Sequence, residues 1–341
     1  MFQPFLIAAE SDLSAEFNYL RQLPKAELHL HLGGAYPLNY LLSIATPQQG
    51  EELKMALDLI AKRVAYRDVF RFFQIVSQII DTEEKVQKGT ESLCHALQED
   101  RVTYAEIRTG LKNLGHGYEA YLNAVLNGIR QGTSPAFQAN LLLSFQRNSS
   151  PEVAKTTVDL ALKYRSFGII GIDISGDSCV GQIERIMPDL LRAKEEGLSI
   201  VLHIGESQNE INQLYLLESL HPNRIGHGVH LSEDAKEWIK QHRIPLEVCL
   251  TSSVLVEMID QPNAHPGIHY FQQGYPIVLC TDDPLLFSTT LSQEFLIAHK
   301  LGFSLEELTK IAQNSFQHAL NCPPKEDPRQ DSGNEIKLAP N

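Results

Sequence analysis

No run of about 20 apolar residues occurs in this 341-residue chain, so the sequence predicts no membrane-spanning helix. Cysteine is sparse. The five residues, Cys94, Cys179, Cys249, Cys280 and Cys322, are odd in number and never fall in C-x-x-C spacing. That excludes a disulfide framework and a cysteine-built structural metal cage, and reads as reduced thiols in a cytoplasmic compartment. Basic residues are also in short supply: 29 Lys and Arg against 42 Asp and Glu leave a net charge of −13, without the basic stripe that nucleic acid requires. Nucleic acid and membrane are therefore not expected partners; a small-molecule substrate is. The opening MFQPFLIAAESDLS has no basic n-region and too short an apolar run for a secretory signal. Internal repeats are absent too. Nothing in the sequence fixes an oligomeric state, and a monomer is the default expectation.

What is present is an ordinary globular composition, 43% apolar and 21% charged, in which short apolar runs alternate with amphipathic stretches. Candidate strands lie at 26–31, 102–108, 138–145, 169–174, 199–203, 224–226, 245–249 and 276–281. Helical stretches lie between most of them, at 150–166, 181–196 and 233–241, the first opening on Ser-Ser-Pro, a cap followed by a first-turn proline. Eight strands alternating with helices fit either a (β/α)₈ TIM barrel or a doubly wound sheet. A doubly wound sheet gathers its site at one switch point. Here polar residues follow strands 1, 2, 4, 5, 6, 7 and 8, and only a closed ring brings them together. The expectation is an α/β barrel over 1–322, a helical insertion at about 38–99 lying over the strand 1 mouth as a lid, and a polar, proline-rich disordered tail at 323–341.

His29 and His31 sit two apart in ELHLHL, so strand geometry points both imidazoles to one side of the sheet. Alone, the pair equally describes two polar residues on a solvated face. Three further strand ends change its meaning: HIGES (203–207), RIGHG (224–228) and VLCTDDPLLF (278–287). In a barrel, His29, His31, His203 and Asp282 share one axis, and three imidazoles with one carboxylate suit Zn²⁺ better than Mg²⁺ or Ca²⁺. The strand 4 exit, Asp173-Ile174-Ser175-Gly176, lacks the lysine that bridges two ions in many barrel hydrolases, which favours a single metal. Glu206, three residues past His203, is placed to handle protons. His227, between two glycines, is placed to orient or deprotonate a water. Asp282-Asp283 reads as one carboxylate on the metal and one free for substrate, both ionised beside a dication; a turn-forming Asp-Asp-Pro is the alternative. These parts permit attack of an activated water on an sp² carbon. A carboxylic acid able to protonate a ring nitrogen suits aromatic deamination better than peptide hydrolysis, though spacing alone leaves both open.

The full set resembles the adenosine deaminase family: PKAELHLHL (24–32), YAEIR (104–108), GIDISGD (171–177), HIGES, RIGHG and CTDDP (280–284) occur in the family's order from about Leu23 to Leu320. The resemblance implies a zinc barrel that hydrolyses the 6-amino group of adenine-type purines. It assigns one Zn²⁺ per chain to His29, His31, His203 and Asp282, and proton donation at purine N1 to Glu206. It gives the water-orienting base to His227, the N7 contact to Asp283 and a backbone N–H for N3 to Gly176. Where adenosine-specific members carry Asp-Gly-Ser, this chain has Gly33-Gly34-Ala35, losing a carboxylate that would repel a 5′-phosphate. Leu250-Thr251-Ser252-Ser253, Leu291-Ser292-Gln293-Glu294 and the strand 2 exit Arg108-Thr109-Gly110-Leu111-Lys112 are more similar to the subgroup acting on N6-methyl-AMP. In that likeness Lys112 meets a phosphate, and His31, Gly33 and Thr109 belong to the substrate wall. The implied reaction converts N6-methyl-AMP or AMP to IMP. Adenosine to inosine is the alternative, and a catalytically silent purine-binding protein a remote one. Nucleic-acid base deaminases of the HxE…PCxxC type are excluded, because no PCxxC occurs.

Overall fold

A computed structural model describes residues 15–65, 69–179 and 183–320. Eight strands, β1 (Lys25–His31), β2 (Val102–Gly110), β3 (Gln138–Gln146), β4 (Ile169–Ser175), β5 (Ser199–Ile204), β6 (Arg224–His227), β7 (Leu246–Val248) and β8 (Ile277–Leu279), run parallel in sequential order. The ring closes just beyond β8, where His31 N–H donates to Asp282 O (2.9 Å) and Asp282 N–H donates to His29 O (2.8 Å). Closure therefore passes through the carboxylate expected to hold metal. Each predicted strand is present. β7 and β8 are shorter than predicted at both ends.

Local chemistry sets the helix starts. Ser150 Oγ accepts from Val153 N–H and Pro151 opens Pro151–Lys163. Ser232 caps Glu233–His242 in the same way, and Thr46 with Gln49 forms a reciprocal capping box ahead of Pro47–Ile60. The stretch expected at 181–196 forms Met187–Glu195; residues 180–182 lie outside the described chain. So do 1–14, Cys322 and the expected tail at 323–341. Among the described residues no helix is long and apolar enough to cross a membrane.

Of the described residues of the 38–99 insertion, Val69, Phe70, Phe73 and Ser77 line the cavity. The helix Glu83–Glu99 is instead a wall helix, packed so closely on Tyr118–Gly132 that a Cβ at Gly132 would stand 2.4 Å from Cys94 Cβ. Barrel lumens are ordinarily filled by branched apolar layers. This one is crossed by charge. Arg108 of β2 donates to Asp173 of β4 (3.0 Å), Glu247 of β7 (2.5 Å) and Leu28 O of β1 (2.7 Å). Arg224 of β6 bonds Glu106 of β2 and Glu247 (2.6 Å). All five side chains are fully buried. Such a network is sustained only because nearly every donor meets an acceptor.

Candidate active site

At the C-terminal end of the barrel a cavity of about 420 Å³ opens, within the usual range for small-molecule pockets. His31, Gly33, Thr109, Lys112, Gly176, His203, Glu206, His227, Asp282 and Asp283 all line it, so ten of the eleven residues singled out from sequence meet on one surface. The eleventh, His29, is fully buried behind them. Backbone strain aims two of them: His227 (φ +63°) and Asp282 (φ +67°) hold left-handed conformations that cost a non-glycine residue free energy.

Four donor groups converge. His31 Nε2 and His203 Nε2 stand 3.0 Å apart, and Asp282 Oδ1 lies 3.4 Å from His29 Nε2 and 3.5 Å from His31 Nε2. His29 Nε2 is buried without a hydrogen-bond partner, while its Nδ1–H donates to Glu247 Oε2 at 2.7 Å. Facing imidazole nitrogens and an orphaned buried nitrogen are what a cation-binding site requires, and the ligating atoms of His29, His31 and His203 lie within 4.8 Å of one another. The donor set fits a metal. Glu247, accepting the His29 Nδ1–H, fixes which nitrogen of that ring faces inward, and Asp173 Oδ1 lies 3.0 Å from His203 Nδ1. Sequence reasoning missed this supporting layer. Its signal was available: an acidic residue inside the apolar run LEVC, and arginines opening or ending strands that should be apolar.

The sequence model of the family described as adenosine deaminase matches residues 24–329. The chain belongs to the adenosine deaminase family. It is 32% identical over 326 residues to the N6-methyl-AMP deaminase of Danio rerio, covering 91% of this chain and 93% of that protein. The crystal structure of the Arabidopsis N6-mAMP deaminase superposes with a TM-score of 0.82 at 29% identity, covering 89% of this chain and 95% of that one. An Arabidopsis structure complexed with IMP gives the same TM-score and identity over 89% and 94%. This member of the adenosine deaminase family is a hydrolytic deaminase acting on carbon–nitrogen bonds, in a metal-dependent family.

Electrostatics sorts the side chains of this deaminase into roles. Burial pushes the Glu206 carboxyl up to about 8, so it is protonated at neutral pH and can donate. His31 is lowered to about 3 and His227 well below its usual range, both chiefly by burial, so both imidazoles are neutral. His227 Nε2 lies 3.6 Å from Glu206 Oε1, and its Nδ1 has no partner. Asp282 is held well below the carboxylate range by the imidazoles around it, despite its burial. Burial and the neighbouring Asp282 charge raise Asp283 well above its usual value. Its protonated form suits a purine N7, which can only accept.

Two glycines shape the wall by absence. A Cβ on Gly34 would fall 1.9 Å from Asp283 Oδ1, so only glycine lets that carboxyl lie where it does. At Gly33 a Cβ would meet Phe73 at an ordinary 3.5 Å, leaving the space open. Thr109 Oγ1 pairs with Tyr121 Oη at 2.6 Å, so it faces the cavity from a fixed rotamer. Lys112 Nζ donates to Ser77 Oγ at 3.2 Å, and burial lowers its pKa.

Proposed function

We propose that this enzyme removes the N6-methylamino or amino group of N6-methyl-AMP or AMP, giving IMP, with one Zn²⁺ held by His29, His31, His203 and Asp282. The observation that carries the nucleotide reading is Lys112. At the cavity mouth its ammonium contacts only the Ser77 hydroxyl and pairs with no carboxylate among the described residues. A partly desolvated cation without a counter-ion invites an anionic group, and Gly33 places no carboxylate there to oppose one. The names of the similar proteins, and the IMP bound by the Arabidopsis structure, support the same substrate class.

A bound Zn²⁺ would supply a Lewis acid that lowers the pKa of water toward ~7. The chain's own residues do the rest. Protonated Glu206 donates to purine N1, drawing electron density from C6, while neutral His227 takes a proton from the water that adds there. Protonated Asp283 hydrogen-bonds N7, and the Gly176 N–H, on a residue at φ +88°, faces N3. Return of a proton to the exocyclic nitrogen releases methylamine or ammonia and leaves the 6-oxo purine.

A panel of adenine, adenosine, AMP and N6-methyl-AMP, scored by amine release with metal analysis alongside, tests the reading. Turnover is expected to favour the monophosphates; adenosine turned over far better than its 5′-monophosphate overturns it. Lys112→Ala should raise KM for monophosphates about 10-fold or more, the size of one charge-assisted contact, and leave adenosine unaffected. Gly33→Asp should move preference toward adenosine. His31→Ala should abolish stoichiometric zinc.

A further inference from the structure

The proton donor is carried on a short backbone excursion after β5, and two buried side chains outside the cavity hold that backbone. Arg147, just past β3, directs Nη2 to His203 O at 2.6 Å and to Glu210 Oε1 at 2.6 Å. Glu210, four residues past Glu206, accepts from Gly205 N–H at 2.6 Å through its other oxygen. The result is a closed ring: His203 carbonyl, guanidinium, carboxylate, Gly205 amide. Arg147 is itself tied to the β4 exit by its N–H to Ser175 O at 3.1 Å. On the opposite side His230 N–H donates to Gly205 O (2.7 Å) and Gly228 N–H to Ile204 O (2.9 Å), so the excursion is gripped from both flanks. The Arg147 and Glu210 side chains are 5% and 0% exposed and neither lines the cavity.

We propose that Arg147 and Glu210 form a clamp that positions Glu206 for proton donation without touching the substrate. The inference rests on the reading of Glu206 as the donor. A purely structural role does not account for the pair. A buried ion pair adds little stability over apolar side chains of similar volume, because desolvation offsets the attraction. What the pair adds is direction: one hydrogen bond holds the His203 carbonyl, three residues before Glu206, and another holds the Gly205 amide immediately before it, at a glycine with φ +75°. Donation to a ring nitrogen is sensitive at this scale, since a misplacement of about 1 Å can cost on the order of 100-fold in rate.

The test compares Glu210→Gln, Arg147→Met, Arg147→Lys and the double variant Arg147→Met/Glu210→Leu with the unmodified metal-loaded enzyme, on N6-methyl-AMP, AMP and adenosine side by side. Glu210→Gln and the double variant are expected to lose ~10- to 100-fold in kcat with KM and metal content little changed. The loss should be the same factor on every substrate turned over, because the donor serves them all. Arg147→Lys should recover part of the kcat lost in Arg147→Met, since an ammonium still reaches one of the two acceptors. The double variant, with no unpaired buried charge, keeps the comparison available should either single change prevent folding. Unchanged kcat in a folded double variant or in Glu210→Gln, or a loss confined to KM, overturns the clamp. Glu206→Gln run in parallel separates the two readings. If it is inactive while the clamp variants are fully active, the clamp alone fails; if it retains turnover, the donor assignment fails and the clamp with it.

Discussion

Burial raises the Glu206 carboxyl to about 8: the side chain is 7% exposed and its Oε2 has no hydrogen-bond partner, and the Glu210 and Asp282 charges add to that against the opposing pull of His203 and Arg147. On the proposed reading, in which the protonated form donates, activity should fall as pH rises through about 8. Glu206→Gln, which keeps shape but gives no proton, should reduce kcat by ~10²–10⁴-fold while the metal stays bound. It should also remove the alkaline limb from whatever turnover remains. A pH series of kcat/KM on both proteins checks the two statements together. Residues of this kind were the most legible from sequence, because chemistry at a strand end demands particular side chains. For Asp282 and Asp283 the sequence shows two adjacent carboxyls but not the depth at which they lie, and both prove to be buried.

At the scale of elements, two of the motifs noted in the sequence, 250–253 and 291–294, are joined by a buried carboxylate. Glu294, on the helix Leu291–Lys300, accepts from Leu250 N–H (3.1 Å), Thr251 N–H (3.2 Å), the Thr251 hydroxyl and the Thr289 hydroxyl (2.7 Å). It thereby fastens the β7 exit to the loop that follows Asp282-Asp283. Despite those donors, burial raises its pKa to about 7. A folded-state pKa above the unfolded value of ~4.3 favours the fold at low pH, and that contribution is lost as pH rises through about 7. Glu294→Gln should flatten this dependence. Thermal midpoints of the two proteins should converge or cross between about pH 5 and pH 8, and parallel curves would remove Glu294 from the account. The helical insertion shows the same limit of a segment-by-segment reading. Helical periodicity in 38–99 shows an apolar face but not which neighbour covers it, and Glu83–Glu99 is covered by a wall helix rather than the mouth.

Across the whole molecule, the end of the last helix closes the face of the barrel opposite the site. Leu320 N–H donates to Glu106 Oε1 (2.6 Å) and His318 O accepts from Arg224 Nη1 (2.8 Å), with Phe316 and Ala319 packed against Ala26, Leu28 and Tyr104. Through Arg224 and Glu247 the same network reaches the Nδ1 of His29. A chain cut after Gln317 should lose about 1–3 kcal/mol for each buried group left unpaired. Denaturant melts should show that loss, and chelator competition should show faster metal release if the network holds His29 in place.

Strand order, the polar strand ends and the family were legible along the chain, because strand periodicity and short motifs are carried by each segment alone. Which charges fill the barrel lumen and how deeply each carboxyl is buried came from the packed fold, as did the approach of Arg147 and Glu210 to the loop that bears Glu206. Those outcomes depend on burial and on partners as distant in sequence as His29 and Glu247, 218 residues apart, and desolvation is a property of the folded whole rather than of any stretch of chain.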